Sequence, residues 1–122
     1  LYIASVLEQG GHTVAAIDGA AEQLNVAKVV ERVSDFAPDV IGIGSFTVSF
    51  ETTKRLAAEL KRVLPHVPIV LGSYHVTLVP HEAMSDTNFD IGVPSICNFD
   101  LEVKKYCMMW RDRGQFSTKK YN

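Results

Sequence analysis

Cysteine is scarce: 122 residues hold two, Cys97 and Cys107, and they form no CxxC pair. Alone they cannot hold an iron–sulfur cluster or a four-cysteine zinc site, so both read as reduced thiols. An excess of either charge is also lacking. Twelve Lys and Arg against fourteen Asp and Glu leave a formal charge of -2, and no basic run is interleaved with aromatics. That excludes a chain built mainly to neutralise nucleic acid phosphates. No apolar run approaches the roughly 18 residues that span a bilayer, and the start has neither the basic flank nor the cleavage pattern of a signal peptide. The expectation is a cytoplasmic protein that engages neither nucleic acid nor membrane. No GxGxxG or phosphate-cradling glycine loop is visible, which weakens a flavin or nucleotide site.

What is present is ordinary globular material, 47% hydrophobic and 21% charged, about one domain in length. Its central stretch is DVIGIGSFTVSF, Asp39 to Phe50. Val40 to Gly44 run apolar without polar alternation, as a parallel strand covered on both faces should. Gly42 and Gly44 fall on one face and Ile41, Ile43 and Ser45 on the other, so one side is free for close approach by a helix or a ligand. At its carboxyl end the chain turns to the hydroxyls Ser45, Thr47 and Ser49. Open parallel sheets bind ligands at that edge.

Around this strand the pattern alternates. LYIASVLEQ opens the chain in mid-helix, so an upstream segment is expected, and Leu1, Ile3, Ala4, Val6 and Leu7 predict a well-buried helix ended by Gly10 and Gly11. His12 to Asp18 predicts a strand ending on a polar residue. Val26 to Phe36 predicts a helix with Asn25 as cap and a valine stripe that depends on docking, stopped by Pro38. After Ser49, a candidate N-cap, FETTKRLAAELKRVL places Thr53, Leu56, Ala57, Leu60, Val63 and Leu64 on one stripe, with Glu51 and Arg55 paired on the wet side. Pro68 to Gly72 predicts a third strand, then a loop, a short helix from Pro80, and a last strand near Phe89 to Val93. Alternation of this kind predicts an α/β fold, a doubly wound parallel sheet with helices on both sides. Asn98 to Gly114 predicts one more helix, with Trp110 and its neighbouring methionines in packing roles, and QFSTKKYN a loose tail.

The pieces GGHTVAAID, APDVIGIGSFT and LPHVPIVLGSYHVTLVPHEAM, in this order and at this spacing, resemble the cobalamin-binding domain of cobalamin-dependent radical SAM proteins. The resemblance runs from Leu1 to about Gly92. It implies a flavodoxin-like (Rossmann-like) fold whose first strand would lie before Leu1, a cofactor domain over residues 1–93 and a divergent segment over 94–122. It implies cobalamin bound base-off, with the nucleotide tail threaded into the carboxyl edge of the sheet and the corrin resting on the loops. The implied cofactor-binding residues are Gly44, Ser45, Phe46, Thr47, Gly72, Ser73, Tyr74 and His75, with Asp18 at the preceding strand end. Missing side chains at Gly42, Gly44 and Gly72 would admit the tail, and Ser45 and Thr47 would donate small hydroxyls.

Three departures qualify the resemblance. The DxHxxG element that supplies histidine to cobalt in the mutases and methionine synthase is absent, so no protein ligand to the metal is expected. Ser73 stands where the family usually has a second glycine, and a side chain there would weaken binding if the backbone needs positive φ. The Gly-Glu-Gly-Glu type turn is replaced by IGVPSICNFD, and no CxxxCxxC motif follows, so no iron–sulfur cluster and no catalytic residue are assigned to this chain.

Plainer roles stand beside these. Ser45 and Thr47 could cap the next turn, Gly42 and Gly44 could admit a tightly packed helix, and Asp18 could cap a loop. His75 could line the pocket or be structural, and Tyr74 could cover the ring. His12, His66 and His81 have ordinary structural explanations. The leading expectation is a cobalamin-binding module of a radical SAM methyltransferase or cyclase, not catalytic alone, with the radical SAM domain as its partner. The alternative is an α/β interaction or regulatory module that binds no cofactor and self-associates through an exposed sheet edge.

Overall fold

A computed structural model describes residues 2–94, 108–112 and 115–119, the last two stretches through their backbone. The chain forms two compact units, Leu1–Ala37 and Pro38–Asn122.

In the first unit, helix α1 spans Tyr2–Gln9 and ends as expected, with Gly11 at φ 86 supplying the left-handed residue. Its expected burial does not hold. Ile3 is 69% exposed, and Val6 and Leu7 are exposed as well, because apolar residues spread round a short helix need more cover than they find here. Helix α2, Val26–Phe36, follows the sequence closely: the Asn25 side chain accepts the Lys28 N–H at 2.9 Å, and Ala37 closes the helix in the left-handed region, at φ 53. Proline at position 38 disfavours a helical residue before it, which fixes that ending. The strand expected over His12 to Asp18 does not form. These residues have no sheet partner among the described residues and lie mostly exposed, and an extended segment becomes a strand only through its ladder.

The second unit is built on a sheet in the order β1-β2-β3-β4-β5. Strands β1 (Ile41–Gly44), β2 (Ile69–Ser73) and β3 (Ile91–Pro94) are parallel, with Gly44 beside Gly72 and Leu71 beside Gly92. The connections are helical: a 3₁₀ turn, Thr47–Ser49, leads into α3 (Phe50–Val63), and short α4 (Tyr74–Leu78) and α5 (Pro80–Ala83) join β2 to β3. Parallel strands joined by helices make this the flavodoxin-like α/β fold expected. The loop expected after β2 is already helical from Tyr74, with Thr77 donating its hydroxyl to the Ser73 carbonyl at 2.9 Å.

The carboxyl-terminal expectation needs correction. Met108–Asp112, placed in a helix by the sequence reading, is strand β4, and Gln115–Lys119, placed in a loose tail, is strand β5. They pair antiparallel with each other, and β4 pairs antiparallel with β3. Pairing with β3 outweighed a helical pattern in which Trp110 favours a strand equally well. Cys97, Cys107 and the remainder of the expected helix lie outside the described residues.

Helices α3 and α4 cover one face of β1–β3. Fully buried Leu60, Ile69, Leu71, Val76, Met84 and Phe89 form this core, each contributing about 1.5–3 kcal/mol by leaving water. Gly92 permits the close packing: a Cβ there would stand 2.8 Å from Met84 Sδ and 3.0 Å from Val76 Cγ2. Described residues of this unit place no helix on the opposite face, where Gly42 and Gly44 are exposed and Val70, Gly72 and Val93 half-buried.

Candidate functional site

Strand β1 runs out at Gly44 and β2 at Ser73, so the chain between strand and helix at both tips meets at the carboxyl edge. The His75 N–H donates to the Ser45 carbonyl at 3.2 Å, and the Ser45 N–H to the Gly72 carbonyl at 3.3 Å. These bonds draw Gly44, Ser45, Phe46, Thr47, Gly72, Ser73, Tyr74 and His75 into one cluster. Asp18 belongs to the first unit, where its Oδ1 accepts the Ala21 N–H at 3.0 Å and shapes a turn.

Within the cluster the side chains divide. Ser45 is wholly buried; its hydroxyl donates to the Phe46 carbonyl at 3.1 Å and accepts from Thr53 Oγ1 at 3.0 Å. Thr53 also reaches the Ser49 carbonyl at 3.1 Å, one helical turn back. Ser49 stands at the N-cap of α3 but makes no side-chain cap bond, its hydroxyl donating instead to Phe46 O. The expected Glu51–Arg55 pair is likewise replaced, Glu51 holding Lys54 at 2.6 Å. That hydrogen bond raises the Lys54 pKa above its ordinary value.

His75 is only 4% exposed. Its Nδ1 lies 3.2 Å from Thr47 Oγ1, and its ring stacks on Phe50 with centroids 3.9 Å apart. Among the described residues its Nε2 is buried without a partner, which costs about 1–3 kcal/mol where no ligand meets it. Phe50 and Thr53 were not singled out as site residues. Thr53 on the buried stripe of α3, one turn beyond Ser49, was the signal for one; nothing in the sequence marked the other as a platform for His75.

Beside the tips, Phe46 and Tyr74 stack with centroids 5.5 Å apart and an interplanar angle of 22°, and both are more than half exposed. Between the tips the sheet is bare. A Cβ on Gly42 would meet nothing within 4 Å, one on Gly72 only the Val93 carbonyl at 3.7 Å, and one on Gly44 only Ser73 Cβ at 3.7 Å. Among the described residues, chain neighbours aside, only the Ser73 side chain comes within 4 Å of these Cβ positions. Ser73 itself has φ 76 and ψ -162, a region used almost exclusively by glycine and costing about 1–3 kcal/mol for other residues. Among the described residues no three His, Cys, Asp or Glu side chains gather to hold a metal ion.

Parallel strands whose carboxyl tips set bare glycines beside hydroxyls, a histidine and an aromatic pair have the arrangement of an α/β module, the class in which open sheets bind ligands at that edge. The chain belongs to the B12 binding domain family, whose match covers residues 1–94. It is 32% identical over 85 residues to an uncharacterized methyltransferase of Pyrococcus horikoshii, covering 70% of this chain and 18% of that protein. It is 28% identical over 86 residues to the anaerobic magnesium-protoporphyrin IX monomethyl ester cyclase of Rubrivivax gelatinosus, covering 70% of this chain and 16% of that protein. The chain thus spans less than a fifth of either relative. No helix among the described residues is long and apolar enough to cross a membrane.

Proposed function

We propose that this chain is the cobalamin-binding module of a cytoplasmic radical SAM methyltransferase or cyclase, holding cobalamin base-off at the carboxyl edge of the sheet. The observation that carries the reading is the stretch of sheet left bare at Gly42, Gly44 and Gly72, room for a slot, in a chain matching the B12 binding domain family. The slot suits a nucleotide tail, which needs backbone approach on both sides. Buried His75 Nε2, left without a partner, suits a pocket completed by a polar ligand. The stacked Phe46 and Tyr74 rings offer a flat apolar surface to the corrin. No histidine of the chain is assigned to cobalt.

When bound, cobalamin supplies the cobalt chemistry, a methyl relay or assistance to a radical reaction, and the chain positions it. Gly44, Gly72 and Ser73 flank the tail, Thr47 and His75 form the polar wall, and Phe46 and Tyr74 exclude water from the edge of the ring. Substrate chemistry belongs to the radical SAM partner domain. Mixing the chain with hydroxocobalamin should shift the absorption spectrum, and the cofactor should remain with the protein through gel filtration. An unshifted spectrum with no retained cofactor refutes the reading.

One observation favours a second reading. β1 is an outer strand of the described sheet, and the Ile41 and Ser45 N–H groups point toward β2, so by alternation those of Gly42 and Gly44 point outward. An open edge of this kind can pair with another copy. Sedimentation showing a dimer indifferent to cobalamin would favour an interaction module.

A further inference from the structure

We propose that Ser73 is a ligand-binding residue whose hydroxyl, turned into the glycine slot by its inverted backbone, hydrogen-bonds the nucleotide appendage of cobalamin. The inference rests on the cobalamin reading above and assigns one side chain a role within it.

Alternation along β2 puts buried Ile69 and Leu71 on the face covered by helices, and an ordinary extended residue at position 73 would join them. Ser73 instead has φ 76 and ψ -162. That inversion carries its Cβ to 3.7 Å from the point where a Cβ on Gly44 would stand, on the bare Gly42 and Gly44 side. The chain thus places the Cβ that carries the Ser73 hydroxyl beside the bare glycines of both strands.

The neighbouring hydroxyls are already engaged. Ser45 and Ser49 donate to the Phe46 carbonyl, Thr53 bonds Ser45 and Ser49, Thr47 meets His75, and Thr77 donates to the Ser73 carbonyl. Among the described residues the Ser73 hydroxyl has no partner. It is half-buried, so a ligand entering the slot meets it directly. A serine hydroxyl donates one hydrogen bond and accepts others, and a phosphate or ribose oxygen is the complementary partner. The corrin itself carries peripheral amides but no phosphate or ribose, so a loss confined to the nucleotide-bearing corrinoid identifies the contact.

The test compares hydroxocobalamin with aquocobinamide, which keeps the corrin and lacks the nucleotide, in spectral titrations of the full chain. Ser73→Ala keeps the Cβ and removes only the hydroxyl; it should weaken hydroxocobalamin binding about 3- to 10-fold and leave aquocobinamide affinity unchanged. Ser73→Gly should show the same selective loss while raising the melting temperature by about 4–8 °C as backbone strain is released. Thermal melts confirm that both variants fold. Unchanged hydroxocobalamin affinity in Ser73→Ala overturns the proposal, as does tighter binding by Ser73→Gly, which would make the side chain an obstruction. Equal loss for both corrinoids also overturns it, since the contact would then not be to the nucleotide. In all three cases the cobalamin reading survives, whereas a wild-type chain that binds neither corrinoid removes that reading and this proposal together.

Discussion

At the amino edge of the sheet, Lys61 donates to Asp90 Oδ2 at 2.7 Å and to the Val67 carbonyl at 2.9 Å, and the same carboxylate oxygen accepts the Ile69 N–H at 2.8 Å. At the carboxyl edge, Ser73 sits in a glycine conformation, His75 keeps a buried nitrogen without a partner, and Gly42 and Gly44 stand bare. One end satisfies its polar groups and links α3 to two strands. The other leaves donors, acceptors and space unclaimed at a cost in stability, an arrangement that persists where a ligand makes up the difference. The same sheet also contrasts its glycines: Gly92 is enclosed by Met84 and Val76, whereas Gly42 faces open space.

The largest expected effect tests the open end. Gly44→Val fills the slot beside Ser73 and should lower hydroxocobalamin affinity at least about 100-fold by removing the tail's entry, the steric counterpart of overpacking, while melting changes little. If affinity survives, the tail does not pass between these strands. At the enclosed glycine, Gly92→Ala should destabilise by about 1–3 kcal/mol, read by urea unfolding, because Met84 must move. Asp90→Asn should cost about 1–2 kcal/mol and leave cobalamin affinity intact; a binding loss would show that the two edges are coupled.

His75→Phe keeps the ring stack and removes the orphaned nitrogen. Stability should change by less than about 1 kcal/mol, with a measurable loss of cobalamin affinity if Nε2 meets the cofactor. The smallest effect belongs to the exposed Lys54–Glu51 pair. The raised Lys54 pKa means that its contribution is present below the ordinary lysine pKa and lost as pH rises through the folded value. Glu51→Gln should therefore leave melting at neutral pH unchanged within error, as surface pairs usually do.

Much of the carboxyl edge was legible in the residues themselves. IGIGS placed glycines on one face and a serine on the other, and the structure keeps that division, with Ser45 buried and Gly42 exposed. Asn25 and Pro38 marked the limits of α2 because capping and proline sterics act within a few residues. The strand expected at His12 to Asp18 and the helix expected through Met108–Asp112 failed for one reason: a strand is defined by partners remote in sequence, which a local pattern does not name. The sequence flagged Ser73 as a departure, but its positive φ was invisible until β2 and α4 were joined.

Composition and periodicity by themselves determined an α/β chain with a glycine-lined strand tip and a hydroxyl-rich edge, since side-chain alternation and helix stops are local properties. Only the tertiary structure decided which hydroxyls are engaged, which ring nitrogen is stranded, and that Ser73 turns toward Gly44. Those outcomes depend on β1, β2 and α3 meeting at one edge, where distant residues compete for the same hydrogen bonds and the same space.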